Sequence, residues 1–227
     1  MRRPGSEARV RLNPEKVAYW YLRLNGFFQI ENFYVHPSGK GGARTDADLL
    51  AVRFPQRAER LFDDADDIME DDVARLNLSD QWIDVVIAEV KSGRCALNGP
   101  WTNPENKNVH RVLAAIGCLP HQLIDSAADA LYRSGIYEGD LHIRIRLIAV
   151  GRKRSPELEQ SYPHVEQVVW SDLLEFLYTR HQEYKNQKKQ TDHWDKTGKD
   201  LKRMATARQT NCAKFVTQAI SCMGFQV

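Results

Sequence analysis

The run Trp82-Ile83-Asp84-Val85-Val86-Ile87-Ala88-Glu89-Val90-Lys91 constrains this chain more than any other stretch. It is a β-type run, and it closes on an acid and a lysine two residues apart, which puts both side chains on one face of a strand. Burying such a pair for packing alone would be costly, because ionised groups lose their hydration. A second acid stands in a similar setting: Asp48, in Thr45-Asp46-Ala47-Asp48-Leu49-Leu50-Ala51-Val52. Two carboxylates and a lysine at the ends of neighbouring strands suit a divalent cation beside a phosphate.

Composition removes several alternatives. At 227 residues the chain can bury one substantial core and hold a second small unit. No apolar run approaches the ~20 residues needed to span a bilayer. Met1-Arg2-Arg3-Pro4-Gly5-Ser6 is not followed by the apolar segment of a secretory signal. Cys95, Cys118, Cys212 and Cys222 are scattered and form no CxxC pair, which favours neither a zinc site nor a disulfide framework. The seven histidines show no HxH or HxxxH spacing, and there is no GxxxxGK[ST] phosphate loop. The expectation is a cytoplasmic protein with free thiols.

The pattern along the chain predicts an α/β fold. Asn13 suits a helix N-cap, Pro14 the first turn and Glu15 the positive end of the dipole. Val17, Tyr21, Leu22 and Leu24 give that helix an apolar face, and Gly26 stops it. Strands are expected over Phe27 to Val35, Asp48 to Phe54 and Ile83 to Lys91, with a turn at Ser38-Gly39-Lys40-Gly41-Gly42. Pro55 to Ser79 reads as a long acidic insertion, helical in part through Ile68, Val73 and Leu76. Asn103-Pro104-Glu105 repeats the capping signature, predicting a helix to Ile116; another runs from Pro120 to Ser134. Leu141 to Val150 alternates apolar residues with His142, Arg144 and Arg146. A short strand from Val165 to Trp170 and a helix from Ser171-Asp172 to Gln187 follow. The division expected is a unit over 1–187 and a basic helical extension over 188–227, the latter with a helix through Leu201 and Met204.

This order, with the strings Asp-Leu-Leu-Ala after the glycine turn and Ala-Glu-Val-Lys-Ser-Gly, resembles the PD-(D/E)XK nuclease superfamily. That superfamily includes restriction endonucleases, Holliday-junction resolvases and many bacterial defence nucleases. The resemblance is strong over Asn13 to Lys91 and looser as far as Gln187. It implies a restriction-endonuclease-like mixed central sheet flanked by helices, and a Mg²⁺- or Mn²⁺-dependent endonuclease acting on DNA, of a restriction or phage-defence kind. Asp48 matches the motif aspartate, Glu89 the second acid and Lys91 the lysine. Glu15 resembles the helix glutamate that precedes a helix-ending glycine. The family's proline before the aspartate is absent, and the gap from Asp48 to Glu89 is long. By the same analogy the Val90 carbonyl joins Asp48 and Glu89 as a metal ligand. Lys91 would then orient water and offset developing charge, and Glu15 would hold a second ion or an ordered water. Asp46 shares a strand face with Asp48 and is its rival; Asp48 is preferred because the apolar run Leu49 to Val52 follows it at once.

Other features admit more than one reading. Lys107 and Arg111, four apart on the predicted helix after the site, share a face and could touch phosphate or simply be solvated. Trp101 beside Pro100 suits core packing better than base stacking. Between Glu59 and Asp72 stand eight acids and one base. That run fits a solvated surface, a nucleic-acid mimic, an autoinhibitory flap or a surface for a protein partner. From Arg180 to Lys214 there are ten bases and four acids, compatible with a phosphate-rich partner or with dimerisation. A homodimer would let two sites cut both strands of a duplex. Cleavage of RNA and a catalytically inert binding or scaffolding role remain as alternatives.

Overall fold

A computed structural model describes residues 10–36, 45–60 and 68–225. The chain is a mixed α/β protein built on a six-stranded sheet: β1 (Phe28–Val35), β2 (Thr45–Arg53), β3 (Ile83–Val90), β4 (Ile136–Gly139), β5 (Ile143–Gly151) and β6 (Glu166–Val169). The strand order is β1-β2-β3-β5-β4, and β6 pairs with the half of β5 that β4 leaves open. β1, β2 and β3 are antiparallel neighbours, whereas β3 and β5 run parallel. Nine α-helices accompany the sheet among the described residues: α1 (Pro14–Leu24), α2 (Val73–Leu76), α3 (Gly99–Thr102), α4 (Asn108–Ile116), α5 (Ile124–Ser134), α6 (Pro156–Ser161), α7 (Trp170–Glu183), α8 (Lys196–Ala205) and α9 (Cys212–Cys222). None of them is long and apolar enough to cross a membrane.

Each face of the sheet carries its own core. Leu49, Ala51, Val86, Ala88, Ile148 and Val150 face α1, α7, α8 and α9. Leu50, Val85, Ile87, Ile145, Leu147 and Ala149 face α3, α4 and α5. β3 and β5 are therefore buried on both sides, the usual state of strands paired in parallel beneath two helical layers. The capping reading of α1 holds: the Asn13 side chain accepts from the Lys16 N–H, and Gly26 ends the turn at φ +82°. α8 is joined to this core, with Leu201 and Met204 inside it, and Gly198 lies so close to the Trp20 indole that a Cβ would overlap the ring. α9 adds Phe215, Ala219 and Met223 to the same core, and the Cys222 carbonyl accepts from the Leu12 N–H.

Several boundaries differ from the sequence expectation. Asn103 caps only a single 3₁₀ turn over Pro104–Asn106, so α4 begins at Asn108. Lys107 precedes that helix in the left-handed region at φ 50°, and does not share a helical face with Arg111. α3, β4, α6 and α9 have no counterpart in the sequence reading: 92–104 reads as a loop, α3, β4 and α6 are too short for a period to be read, and α9 mixes its apolar residues with Lys214, Gln218 and Ser221. The glycine turn at 38–42 lies outside the described residues, as do Asp63, Asp64, Asp66 and Asp67.

Glu59, Asp71 and Asp72 of the insertion are engaged within the molecule, while Glu70 is exposed. Asp71 accepts from Arg53 Nη2 at 3.0 Å and Arg180 Nη2 at 3.1 Å, and it also pairs with Arg57. Asp72 accepts from the Tyr21 hydroxyl at 2.8 Å, and Glu59 pairs with Arg57 and Lys188. These bonds tie the insertion to β2, α1 and α7. The basic C-terminal third is engaged only in part: Arg180 and Lys188 serve those pairs, whereas Lys196 and Arg203, which both bond Asp200 on their own helix, remain exposed. Part of each charge run is thus an internal lattice, while Lys185, Lys189, Lys199, Arg208 and Lys214 stay exposed. A further one lies under the first core, where buried Asp84 receives both Arg144 and Arg146.

Candidate active site

The long insertion between Asp48 and Glu89 does not separate their strands. β2 and β3 pair with Leu49 opposite Ala88 and Leu50 opposite Ile87. Asp48 and Glu89 are the next residues beyond the last pair of that ladder, Leu49 and Ala88, and they are close enough for the Asp48 charge to raise the Glu89 pKa. The contact is explicit: the Val90 N–H donates to Asp48 Oδ2 at 2.7 Å. Lys91 follows immediately and its ammonium bonds Glu89 Oε1. Asp46, the rival acid, lies two residues away along β2, and its charge raises the Asp48 pKa.

The setting is half-enclosed. Glu89 is 2% exposed. Burial raises its pKa, and the Asp48 charge adds to that, while the hydrogen bonds from Lys91 and Trp101 pull the other way. Asp48 is likewise raised by burial, opposed by the Val90 N–H and by the Lys91 charge. Glu15, in the first turn of α1, has its pKa raised by burial and then by Asp48, Asp46 and Glu31, and Lys91 lowers it. Three predicted acids and the predicted lysine thus share one electrostatic neighbourhood at the end of β2 and β3.

Two site residues escaped the sequence reading in this role. The Trp101 indole N–H donates to Glu89 Oε2 at 2.7 Å, and the Asn98 amide donates to Glu89 Oε1. Trp101 is fully buried and packs in the second core, as expected, but its one polar atom is aimed at the carboxylate. The spacing of Asn98 and Trp101 gave no signal, since the irregular segment after β3 and the short α3 set their direction. Lys107 is exposed, and Arg111 Nη1 donates to the Asn106 carbonyl at 2.7 Å. Both lie on the segment after α3, where the Asn108 amide donates to the Pro100 carbonyl at 3.4 Å.

Among the described residues no three His, Cys, Asp or Glu side chains gather closely enough to hold a metal ion alone. The donors on offer are two neighbouring carboxylates, main-chain oxygen and water. That set suits a small hard cation, which keeps several waters and needs few protein ligands. Mutual repulsion of two partly desolvated carboxylates is what a cation between them would relieve. No protein-family model, curated protein or solved structure matches the chain.

Proposed function

We propose that this chain is a metal-dependent nuclease with a restriction-endonuclease-like fold, hydrolysing phosphodiester bonds in DNA. The observation that carries the reading is the closeness of Asp48 and Glu89 on adjacent strands, with Lys91 two residues beyond Glu89. A Mg²⁺ or Mn²⁺ ion held by Asp48, Glu89 and a main-chain oxygen such as that of Val90 would supply Lewis acidity at the phosphate. Trp101 and Asn98 fix the Glu89 carboxylate, so little ordering entropy is lost on loading the site. Lys91 lies where an ammonium can orient an attacking water and offset the charge that gathers on the phosphoryl oxygens. Its bond to Glu89 exchanges for those contacts when substrate arrives. Glu15, whose pKa is raised by burial and then by the Asp48 charge, would accept a proton or order a second water.

The test is incubation of the purified chain with linear, supercoiled and single-stranded DNA and with RNA, in Mg²⁺, Mn²⁺ or chelator. Asp48→Ala and Glu89→Ala are expected to abolish cleavage and weaken Mn²⁺ binding in calorimetry. Lys91→Ala is expected to abolish cleavage while metal binding persists or tightens slightly, because a positive charge beside the cation is gone. Cleavage in chelator, or full cleavage by the Lys91→Ala protein, rejects the proposal. So does the absence of cleavage of every substrate.

A further inference from the structure

The end of the sheet away from Asp48 and Glu89 holds more buried cation than buried anion. Register sets Arg53 on β2 opposite Asp84 on β3, and Asp84 opposite Arg144 on β5. The buried guanidiniums of Arg53, Arg144, Arg146 and Arg180 stand there against the buried carboxylates of Asp84 and Asp71. Arg57, Lys188 and Glu59 extend the same lattice toward solvent and add two cations for one acid. Arg146 Nη1, Arg180 Nε and Arg180 Nη1 are buried with no hydrogen-bond partner among the described residues. Burial lowers the Arg180 pKa, although the charges of Asp71 and Glu59 raise it. Desolvated cations in excess of their counter-charges are costly, and a bound anion offsets that cost.

This lattice opens on a cleft of about 690 Å³, lined by Arg53, Arg57 and Arg144 together with Asn77, Ser79 and Trp82. Arg144 Nη1 and Arg57 Nε make no hydrogen bond among the described residues. Two acids stand near: Asp80 also lines the cleft, and Glu138 pairs with Arg144 across β4 and β5. Both are exposed and neither forms an ion pair among the described residues, so water screens them more than it screens the guanidiniums. We infer that this cleft binds a nucleoside monophosphate, with the phosphate dianion on Arg144, Arg57 and Arg53 and the base against Trp82. Guanidinium forks match phosphate oxygens in geometry as well as charge. The cleft is far larger than a phosphate ion and has the size of a small-ligand pocket. The half-buried Trp82 ring offers an apolar face to a planar group. The inference does not rest on the nuclease reading, because Asp84 lies five residues before Glu89 along β3, roughly 17 Å away.

Calorimetry on the full chain compares AMP, GMP, CMP and UMP with the free nucleosides and with inorganic phosphate. Chelator is present throughout, so that no cation carries phosphate to the Asp48–Glu89 centre. The best nucleotide is expected to bind at least tenfold more tightly than its nucleoside or phosphate alone. Arg57→Gln leaves Asp71 with Arg53 and Arg180, and Glu59 with Lys188, so the fold is held while nucleotide affinity falls about tenfold. Trp82→Ala should weaken the nucleotide about tenfold and inorganic phosphate less than about twofold. Asp80→Asn removes an exposed like charge from the cleft without touching the core, and should tighten nucleotide binding about threefold. No saturable binding of any nucleotide, a nucleoside that binds as tightly as its monophosphate, or affinity unchanged in both Arg57→Gln and Asp80→Asn overturns the inference. A 5′-phosphorylated twelve-nucleotide DNA that binds more tightly than every mononucleotide, and loses that affinity in Arg57→Gln, assigns the cleft to nucleic-acid ends and also overturns it.

Discussion

Asp84→Ala tests the electrostatic argument at the far end of β3 from the site. The Asp84 carboxylate is 2% exposed and receives four hydrogen bonds: Arg144 Nε at 3.2 Å and Nη2 at 3.0 Å, Arg146 Nε at 2.9 Å and Nη2 at 2.6 Å. Both guanidiniums are buried, and Arg146 Nη1 has no partner. Removing the carboxylate leaves two cations desolvated without a counter-charge. Loss of one member of a buried ion pair costs about 3–5 kcal/mol. At roughly 2–4 °C per kcal/mol for a domain of this size, the melting temperature should fall by roughly 6–20 °C. Urea unfolding followed by circular dichroism measures the loss through the midpoint at unchanged slope. The second arm is Asp84→Ala with Arg146→Met, which removes one stranded cation and replaces it with an apolar side chain of similar length. That double variant should be more stable than Asp84→Ala alone. A loss under about 1 kcal/mol in the single variant, or strict additivity in the double, would refute the claim that the cluster is desolvated and coupled.

Two further outcomes follow from the geometry. Trp101→Phe keeps an aromatic ring in the second core but removes the N–H that Glu89 accepts; Mn²⁺ affinity in calorimetry should fall about tenfold while the far-UV spectrum is retained. Unchanged Mn²⁺ affinity would reduce Trp101 to packing. His181 is buried and its pKa is lowered to about 3, by burial first and then by the charges of Lys202, Lys188 and Arg180. Unfolded chains protonate it below about 6.5, so its contribution is complete above that pH and is lost at about 1.4 kcal/mol per pH unit as pH falls toward 3. Between pH 7 and pH 5 wild type should lose ~2 kcal/mol more than His181→Gln, read from urea midpoints; equal losses would mean that the imidazole titrates normally.

The sequence by itself determined the strands that carry the site and the helix before them. The apolar runs around Asp48 and Glu89 were long enough to declare strands, and period two then required Glu89 and Lys91 to share a face. Asn13, Pro14 and Gly26 marked both ends of α1 because caps act on their immediate neighbours. These are local effects, legible from residues a few positions apart. Pairing across the 40-residue gap was different. Only the tertiary structure brought Asp48 beside Glu89, because strand register depends on which faces are buried once both layers of helices are in place. It also turned Trp101 and Asn98 onto Glu89 through an irregular segment that has no period to read. Charge was the least legible property. The acids near Asp71 and the bases near Arg180 looked like two opposed surfaces, yet they lie against each other inside the molecule. A formal charge in a sequence has no address; its partner, and hence whether it meets water, is decided by the fold.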